Sequence, residues 1–327
     1  MQIKDIAKLA GVAPSTVSRV INNSGYVSAE IREKVGKIIE ETGYVPNSIA
    51  KSLKAKKTNM IGFIIPQVSS ESMARTLDGV SAECNNHGYD ILLANSALNI
   101  EKELQYLRDL NRRQIDGIIL MSIKLTKEHY EQIMRMDIPV VVIGQKFDGL
   151  CCVTHNDVDI AYRMTKKIIE KGRRNIAMIN VMVDDDAVKR DRFFGYRRAV
   201  EEAGFAYDPE MTVYGEFTVK SGYECMKKLW ESGKRPDGVF AISDKLAVGA
   251  MKYLREQGVS VPDDVSVTGI GNNSISYIIS PSLTTAEMFP QHSGSQAAIM
   301  LFRSIESGAK PEGTHYVDFK ILERESI

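Results

Sequence analysis

The stretch Gly11–Asn23, GVAPSTVSRVINN, follows directly on the apolar-patterned run IKDIAKLA at residues 3–10. At about 100° per residue, Val17, Val20 and Ile21 fall on one side of a helix, and Ser15, Ser18, Arg19 and Asn22 fall on the other. One face needs a core and the other is dressed for a partner. In the preceding run Ile3, Ile6 and Leu9 recur at three-residue spacing, which predicts a first helix whose apolar stripe packs on those valines, with Gly11 making the break. Beyond Ser28, a candidate N-cap, Ile31, Val35, Ile38 and Ile39 mark a third helix that Gly43 ends and Pro46 prevents from resuming. Three short helices with a glycine turn after the first fit a helix-turn-helix module. Periodicity alone fits any small three-helix bundle equally well.

Charge separates these readings. Through residue 57 the chain carries ten Lys and Arg against five Asp and Glu, a balance of +5, while the rest holds 32 against 37, a balance of −5. The overall net charge of zero therefore hides a basic head on an acidic body. Such an asymmetry matches a phosphate-binding footprint on one domain, where released counterions contribute much of the affinity.

At 327 residues the chain has room for about two or three domains. No apolar run approaches the ~20 residues of a membrane span, and Lys4, Asp5 and Lys8 interrupt any secretory leader, so a cytoplasmic protein with no membrane partner is expected. Cys84, Cys151, Cys152 and Cys225 show no CxxC spacing and are expected as reduced, structural thiols. His87, His129, His155, His292 and His315 are scattered without metal spacing, so no metal site is expected. A convincing nucleophile, metal or coenzyme site is lacking, which argues against an enzyme and against a cofactor.

From Met60 onward, short apolar runs (MIGFIIP, YDILLANS, DGIILMS, IPVVVIG, NIAMINV, DGVFAIS and DVSVTGI) alternate with helical stretches such as KELQYLRDLNRR and AYRMTKKIIEKG. Near-continuous apolar strands alternating with helices imply parallel sheets covered on both faces. The run Asp116-Gly117-Ile118-Ile119 is echoed by Asp237-Gly238-Val239-Phe240, which predicts two related α/β lobes with a ligand cleft beyond the carboxyl ends of their strands. Between head and body, PNSIAKSLKAKKTN at residues 46–59 holds about two helical turns, too short to be stable alone in water. Ile49, Ala50 and Leu53 lie at helical spacing among lysines, which suits a segment that folds on DNA and offers Leu53 as an apolar wedge.

Taken together, IKDIAKLAGVAPSTVSRVINN, GYVSAEIREKVGKIIEETGYVPNSIAKSL, DGIILMS, FFGYRRAV, ISDKLAVGAM, VPDDVSVTGIG and PSLTT resemble the lactose/galactose-repressor family of bacterial transcription regulators over essentially the full length. The resemblance implies an all-α helix-turn-helix head at residues 1–45 and a hinge helix at 46–59. It further implies a two-lobed α/β core at 60–327 like periplasmic sugar-binding proteins, with two doubly wound parallel sheets. The first lobe would comprise about 60–154 and 287–315, the second about 155–286 and 316–327. It also implies a homodimer whose two heads read a near-palindromic operator on double-stranded DNA.

Carried over position by position, Pro14, Ser15 and Arg19 would lie nearest the bases in the major groove. Thr16, Ser18 and Asn22 would be phosphate or packing contacts, and Asn47, Ala50 and Leu53 would belong to the hinge contact. Arg19 can present a bidentate fork to guanine, whereas Ser15 reads bases permissively. Ala13 stands where the family often has a capping Ser. In the core, Arg192, Asp244 and Asn156 match positions that line or border the effector cleft, although His155 replaces the Asp usual before Asn156. Two of these have a plainer alternative, a surface ion pair for Arg192 and a helix cap for Asp244. Gly271 and Asn272 replace an acidic pair, and Ser72 and Met73 replace a Phe pair. SSESMAR and GIGNN look similar to regulators of sucrose or trehalose use. The expectation is a repressor of a sugar-utilisation operon, released by a neutral sugar effector, a disaccharide. The alternative is a catabolite regulator tightened by a corepressor or a partner protein.

Overall fold

The computed structural model describes residues 1–44 and 57–327. Asn47, Ala50 and Leu53 of the expected hinge lie outside the described residues. The chain divides into two units, Met1–Thr58 and Asn59–Ile327.

The first unit holds helices α1 (Ile3–Ala10), α2 (Pro14–Ile21) and α3 (Ala29–Thr42). Gly11 ends α1 at φ +67°, a left-handed conformation that glycine adopts without steric cost. Ser28 caps α3, accepting from the Ile31 N–H at 3.4 Å. Ile6, Ala7, Ala10, Val17 and Val35 form the buried centre, with Ile3, Val20, Ile21, Ile31, Ile38 and Ile39 packed around it. Leu9 departs from the expected stripe and is 56% exposed. The cause is geometric: three-residue spacing slips about 60° per step, so Leu9 lands about 120° from Ile3, while Ala7 and Ala10 stay near the centre line.

The second unit opens with β1 (Met60–Ile65), α4 (Glu71–His87), β2 (Asp90–Asn95), α5 (Ile100–Arg112), β3 (Gly117–Met121), α6 (Lys127–Met134), β4 (Val140–Ile143) and β5 (Cys151–Thr154). The chain then crosses to a second lobe built from α7 (Asp157–Glu170), β6 (Ile176–Val181), a π-helical turn (Asp186–Asp191), α8 (Arg192–Glu202), β7 (Thr212–Gly215), α9 (Val219–Glu231), β8 (Gly238–Ala241), α10 (Asp244–Glu256), β9 (Ser266–Ile270), α11 (Ile275–Ile278) and β10 (Thr284–Glu287). It returns through α12 (Pro290–Ser307) to β11 (Thr314–Tyr316) and crosses once more to β12 (Lys320–Leu322). The sheets run β11-β5-β4-β3-β1-β2 and β12-β10-β9-β8-β6-β7. All described pairings are parallel except β10 with β12.

Each lobe buries both faces of its sheet. On β1, Ile61, Phe63 and Ile65 enter one apolar cluster and Ile64 another. That explains the unbroken apolar runs. The two Asp-Gly repeats do the same work in each lobe. Asp116 accepts from the Asn59 N–H at 2.8 Å, and Asp237 accepts from the Asn175 N–H at 2.8 Å, tying the start of each lobe's first strand to its third. The glycines that follow sit under helices, where a Cβ would meet Leu301 at 3.0 Å or Ile168 at 2.4 Å. The four cysteines are free and buried, and burial pushes the Cys84 and Cys151 thiols up to about 12.

Candidate functional site

On the head, α2 starts without a side-chain cap: Ala13 occupies the N-cap and Pro14 the first turn. Proline removes one N–H that would lack a partner there. Val17 is fully buried, which turns Pro14, Ser15, Arg19 and Asn22 outward and leaves Thr16 and Ser18 half-buried. Asn22 folds back, donating from Nδ2 to the Ser18 carbonyl at 2.9 Å. Arg32 holds the loop between α2 and α3 through Asn23 at 2.6 Å. The Arg19 side chain makes no hydrogen bond or ion pair among the described residues, although its carbonyl accepts from the Ser24 N–H at 3.0 Å. The exposed face of α2 is thus a free guanidinium among short hydroxyls, able to grip a base edge or a phosphate.

In the core, the polar residues gather where the strands end. Arg192, buried at the start of α8, donates from Nε to Asp157 at 2.7 Å and from Nη1 to the Ile242 carbonyl at 2.7 Å, while Nη2 lies 3.3 Å from the Met288 sulfur. It is therefore an interior ion pair rather than a surface one. Asp244 is also buried, one place past Ser243, which caps α10. It accepts from Thr285 Oγ1 at 2.5 Å and from the Asn273 N–H at 2.7 Å. Burial raises its carboxyl from the ordinary 3.8 to about 6, against the opposing effect of these donors. Asn272, at φ +48°, accepts from Arg324 at 2.6 Å.

The same loop reaches the other lobe. Ser274 donates its N–H and its hydroxyl to the carboxylate of Glu71, the first residue of α4. Ser72 and Met73, both half-buried, follow Glu71 on that helix. The structure therefore brings Ser72, Met73, Asp244 and Asn272 to one end of the interlobe boundary, with Arg192 and Asp244 flanking the end of β8. Asn156 lies beside Asp157, the partner of Arg192. It is exposed, caps α7 through the Asp159 N–H at 3.1 Å, and borders a cavity of about 330 Å³ with Gln145, Lys146, His155, Asp186 and Arg190.

Beside that cavity Gln145 donates to Asp185 at 3.0 Å and Lys124 pairs with Asp184 at 2.5 Å, both across the lobes. Burial raises the Asp185 carboxyl to about 6. His155 donates from Nε2 to the Met288 carbonyl at 2.6 Å, joining two crossovers, and burial lowers its pKa from the ordinary value. Glu71, Asn273, Ser274, Gln145 and Asp185 were not legible as site residues, because each acquires its role from a partner 29 to 203 positions away.

Residues 2–47 match the family model described as bacterial regulatory proteins, lacI family, and residues 165–327 match the periplasmic binding protein-like domain. The chain is 37% identical to the HTH-type transcriptional regulator RegA of Clostridium saccharobutylicum over 99% of this chain and 98% of that protein. It belongs to the lacI family of bacterial regulatory proteins. Another relative, the HTH-type transcriptional repressor PurR of Vibrio atlanticus, is 33% identical over 99% of this chain and 98% of its own. Among solved structures, the complex of the transcriptional regulator CelR with cellobiose superposes with a TM-score of 0.74 at 28% identity, covering 100% of this chain and 99% of that one. As a lacI-family member the chain is a DNA-binding transcriptional regulator and not an enzyme.

Proposed function

We propose that this regulator represses a sugar-utilisation operon as a homodimer on a near-palindromic operator and is released by a neutral sugar, a disaccharide, held between its lobes. Pro14, Ser15 and Arg19 read the major groove, with Thr16, Ser18 and Asn22 on phosphates or in packing, and the hinge at 46–59 adds Asn47, Ala50 and Leu53. Ser72, Met73, Arg192, Asp244 and Asn272 border the effector, with Asn156 at its edge.

The observation that carries the effector class is the charge balance of the cleft. Arg192 is neutralised by Asp157 and Asp244 stands close by in sequence to the Ile242 carbonyl that Arg192 also holds, so among the described residues no cluster of free cations around this pair awaits a phosphate. Hydroxyls, which both donate and accept, suit Asn272, Ser72 and the carboxylates. The cellobiose in the CelR complex accords with a ligand of this size. A second reading, in which a corepressor or partner protein tightens DNA binding, draws on the bridges that already join the lobes through Glu71, Gln145 and Lys124. Operator affinity measured with and without sucrose, trehalose, maltose, cellobiose and sugar phosphates decides between them. Weaker binding with a neutral disaccharide is expected, and tighter binding with any of these ligands overturns the release mechanism.

A further inference from the structure

The loop after β9 presents three successive backbone N–H groups, and an oxygen takes each one. Asn272 gives its N–H to Thr285 Oγ1 at 3.3 Å, Asn273 gives its own to Asp244 at 2.7 Å, and Ser274 gives its own to both Glu71 oxygens at 3.1 Å. Successive N–H groups in a turn of this kind make a concavity that attracts anions. Two of the three are satisfied from within the second lobe. The third is filled from the first lobe, by a carboxylate that also accepts the Ser274 hydroxyl at 3.0 Å. One turn further along α4, Arg75 pairs with Glu287 at the end of β10, at 3.0 Å. Both side chains on this face of α4 grip the second lobe, so the chain itself supplies the anion that a ligand would otherwise bring to the loop.

We propose that Glu71 is an effector-selecting latch: it bridges the lobes through Ser274 in the ligand-free protein, exchanges Ser274 for ligand hydroxyls when an unphosphorylated sugar binds, and by its charge turns away phosphorylated ones. The ligand half of this proposal rests on the sugar-effector reading above, whereas the latch half stands without it. A ligand hydroxyl placed between Glu71 and Ser274 donates to the carboxylate and accepts from the Ser274 N–H, and a neighbouring ligand hydroxyl does the same for the Ser274 hydroxyl, so two hydroxyls replace the two donors that Glu71 gives up. A phosphate also accepts from the N–H groups, but there it meets the carboxylates of Glu71 and Asp244, which hold adjacent residues of one loop. Like charges at that spacing repel, and the half-buried setting screens them less than open solvent does.

Hydrogen exchange at the Ser274 amide of the full-length protein tests the latch with no ligand present. The amide is expected to be protected in the wild type and to exchange roughly ten-fold faster or more in Glu71→Ala, as loss of a hydrogen bond to a charged group implies. Glu71→Gln, which keeps one acceptor, is expected to fall between. Calorimetry then compares a panel of sucrose, trehalose, maltose and cellobiose with glucose 6-phosphate. Glu71→Gln is expected to weaken the neutral sugar and to tighten the phosphate. Unchanged discrimination in Glu71→Gln overturns the selecting role, and a Ser274 amide that exchanges as fast in the wild type as in Glu71→Ala overturns the latch. A protected amide, freed in Glu71→Ala, in a wild type that takes none of these sugars upholds the latch and overturns the sugar-effector reading.

Discussion

Arg19 on α2 and Arg192 on α8 carry the same side chain into opposite circumstances. Arg19 is exposed and meets no acceptor among the described residues, while Arg192 is 6% exposed and spends its donors on Asp157, the Ile242 carbonyl and the Met288 sulfur. The contrast separates two kinds of binding surface. A face that takes up an external polyanion keeps its cation solvated and free until contact, so its loss should change affinity and leave the fold alone. A cleft that opens and closes satisfies its own polar groups in the closed form, so a ligand acts by replacing internal partners and is felt as a change between lobe arrangements.

The largest break in this contrast is Arg192→Ala. It strands Asp157 as an uncompensated buried charge, and loss of one partner of a buried pair costs about 3–5 kcal/mol. Urea unfolding should show that loss, and the double variant with Asp157→Asn should recover much of it. A loss below about 1 kcal/mol would mean that the pair is solvated and resembles a surface bridge.

Asp244 sharpens the comparison through pH. Its carboxyl rises on folding from 3.8 to about 6, so between those values the folded state binds the proton more tightly than the unfolded chain does. Its contribution to stability is therefore present below about 4, is lost as pH climbs to 6, and is level above that. The difference in unfolding free energy between wild type and Asp244→Asn should follow that slope, amounting to roughly 3 kcal/mol across the window. A flat difference would show that Asp244 is ionised throughout.

At the exposed end, Arg19→Ala should cost about 1–3 kcal/mol of operator binding, with the melting temperature unchanged and the preference relaxed at one base pair in each half-site. Equal losses on operator and random DNA would make Arg19 a phosphate contact instead. Smaller still, Ala13→Ser supplies the missing side-chain cap of α2 and should stabilise the head by about 0.5–2 kcal/mol. Leu9→Ala should change head stability by no more than about 0.5 kcal/mol, since Leu9 faces solvent. A larger loss would place Leu9 in a contact that the exposed face of α1 does not show.

The head was the most legible part of the chain because its signals are local. Ser28, Gly43 and Gly11 end or begin helices by geometry within a few residues. Leu9 misled because three-residue spacing approximates a helical stripe over one step and drifts off it over two. The seven long apolar runs were equally plain, each becoming a strand or the core of one; six are buried on both faces, while β2, at the edge of its sheet, is exposed or half-buried along its length. Five further strands, β5, β7, β10, β11 and β12, were not read. They are three or four residues long, below the window in which alternation can be counted. β11 and β12 also have remote partners, with Thr314 beside Cys152 and Ile321 beside Ala286.

Sequence by itself determined the helix-turn-helix, the basic head on an acidic body, the doubled α/β pattern and the family, because caps, periodicity, charge and ordered motifs are properties of neighbours along the chain. Tertiary structure alone decided that Arg192 is an interior ion pair, that Asp244 lies behind a cap rather than serving as one, and that Glu71 reaches Ser274, 203 positions away. The first two depend on how helices and strands pack within the second lobe and the third on which lobe faces which, and the free energy of a polar group is set by the partners and the burial that folding brings to it.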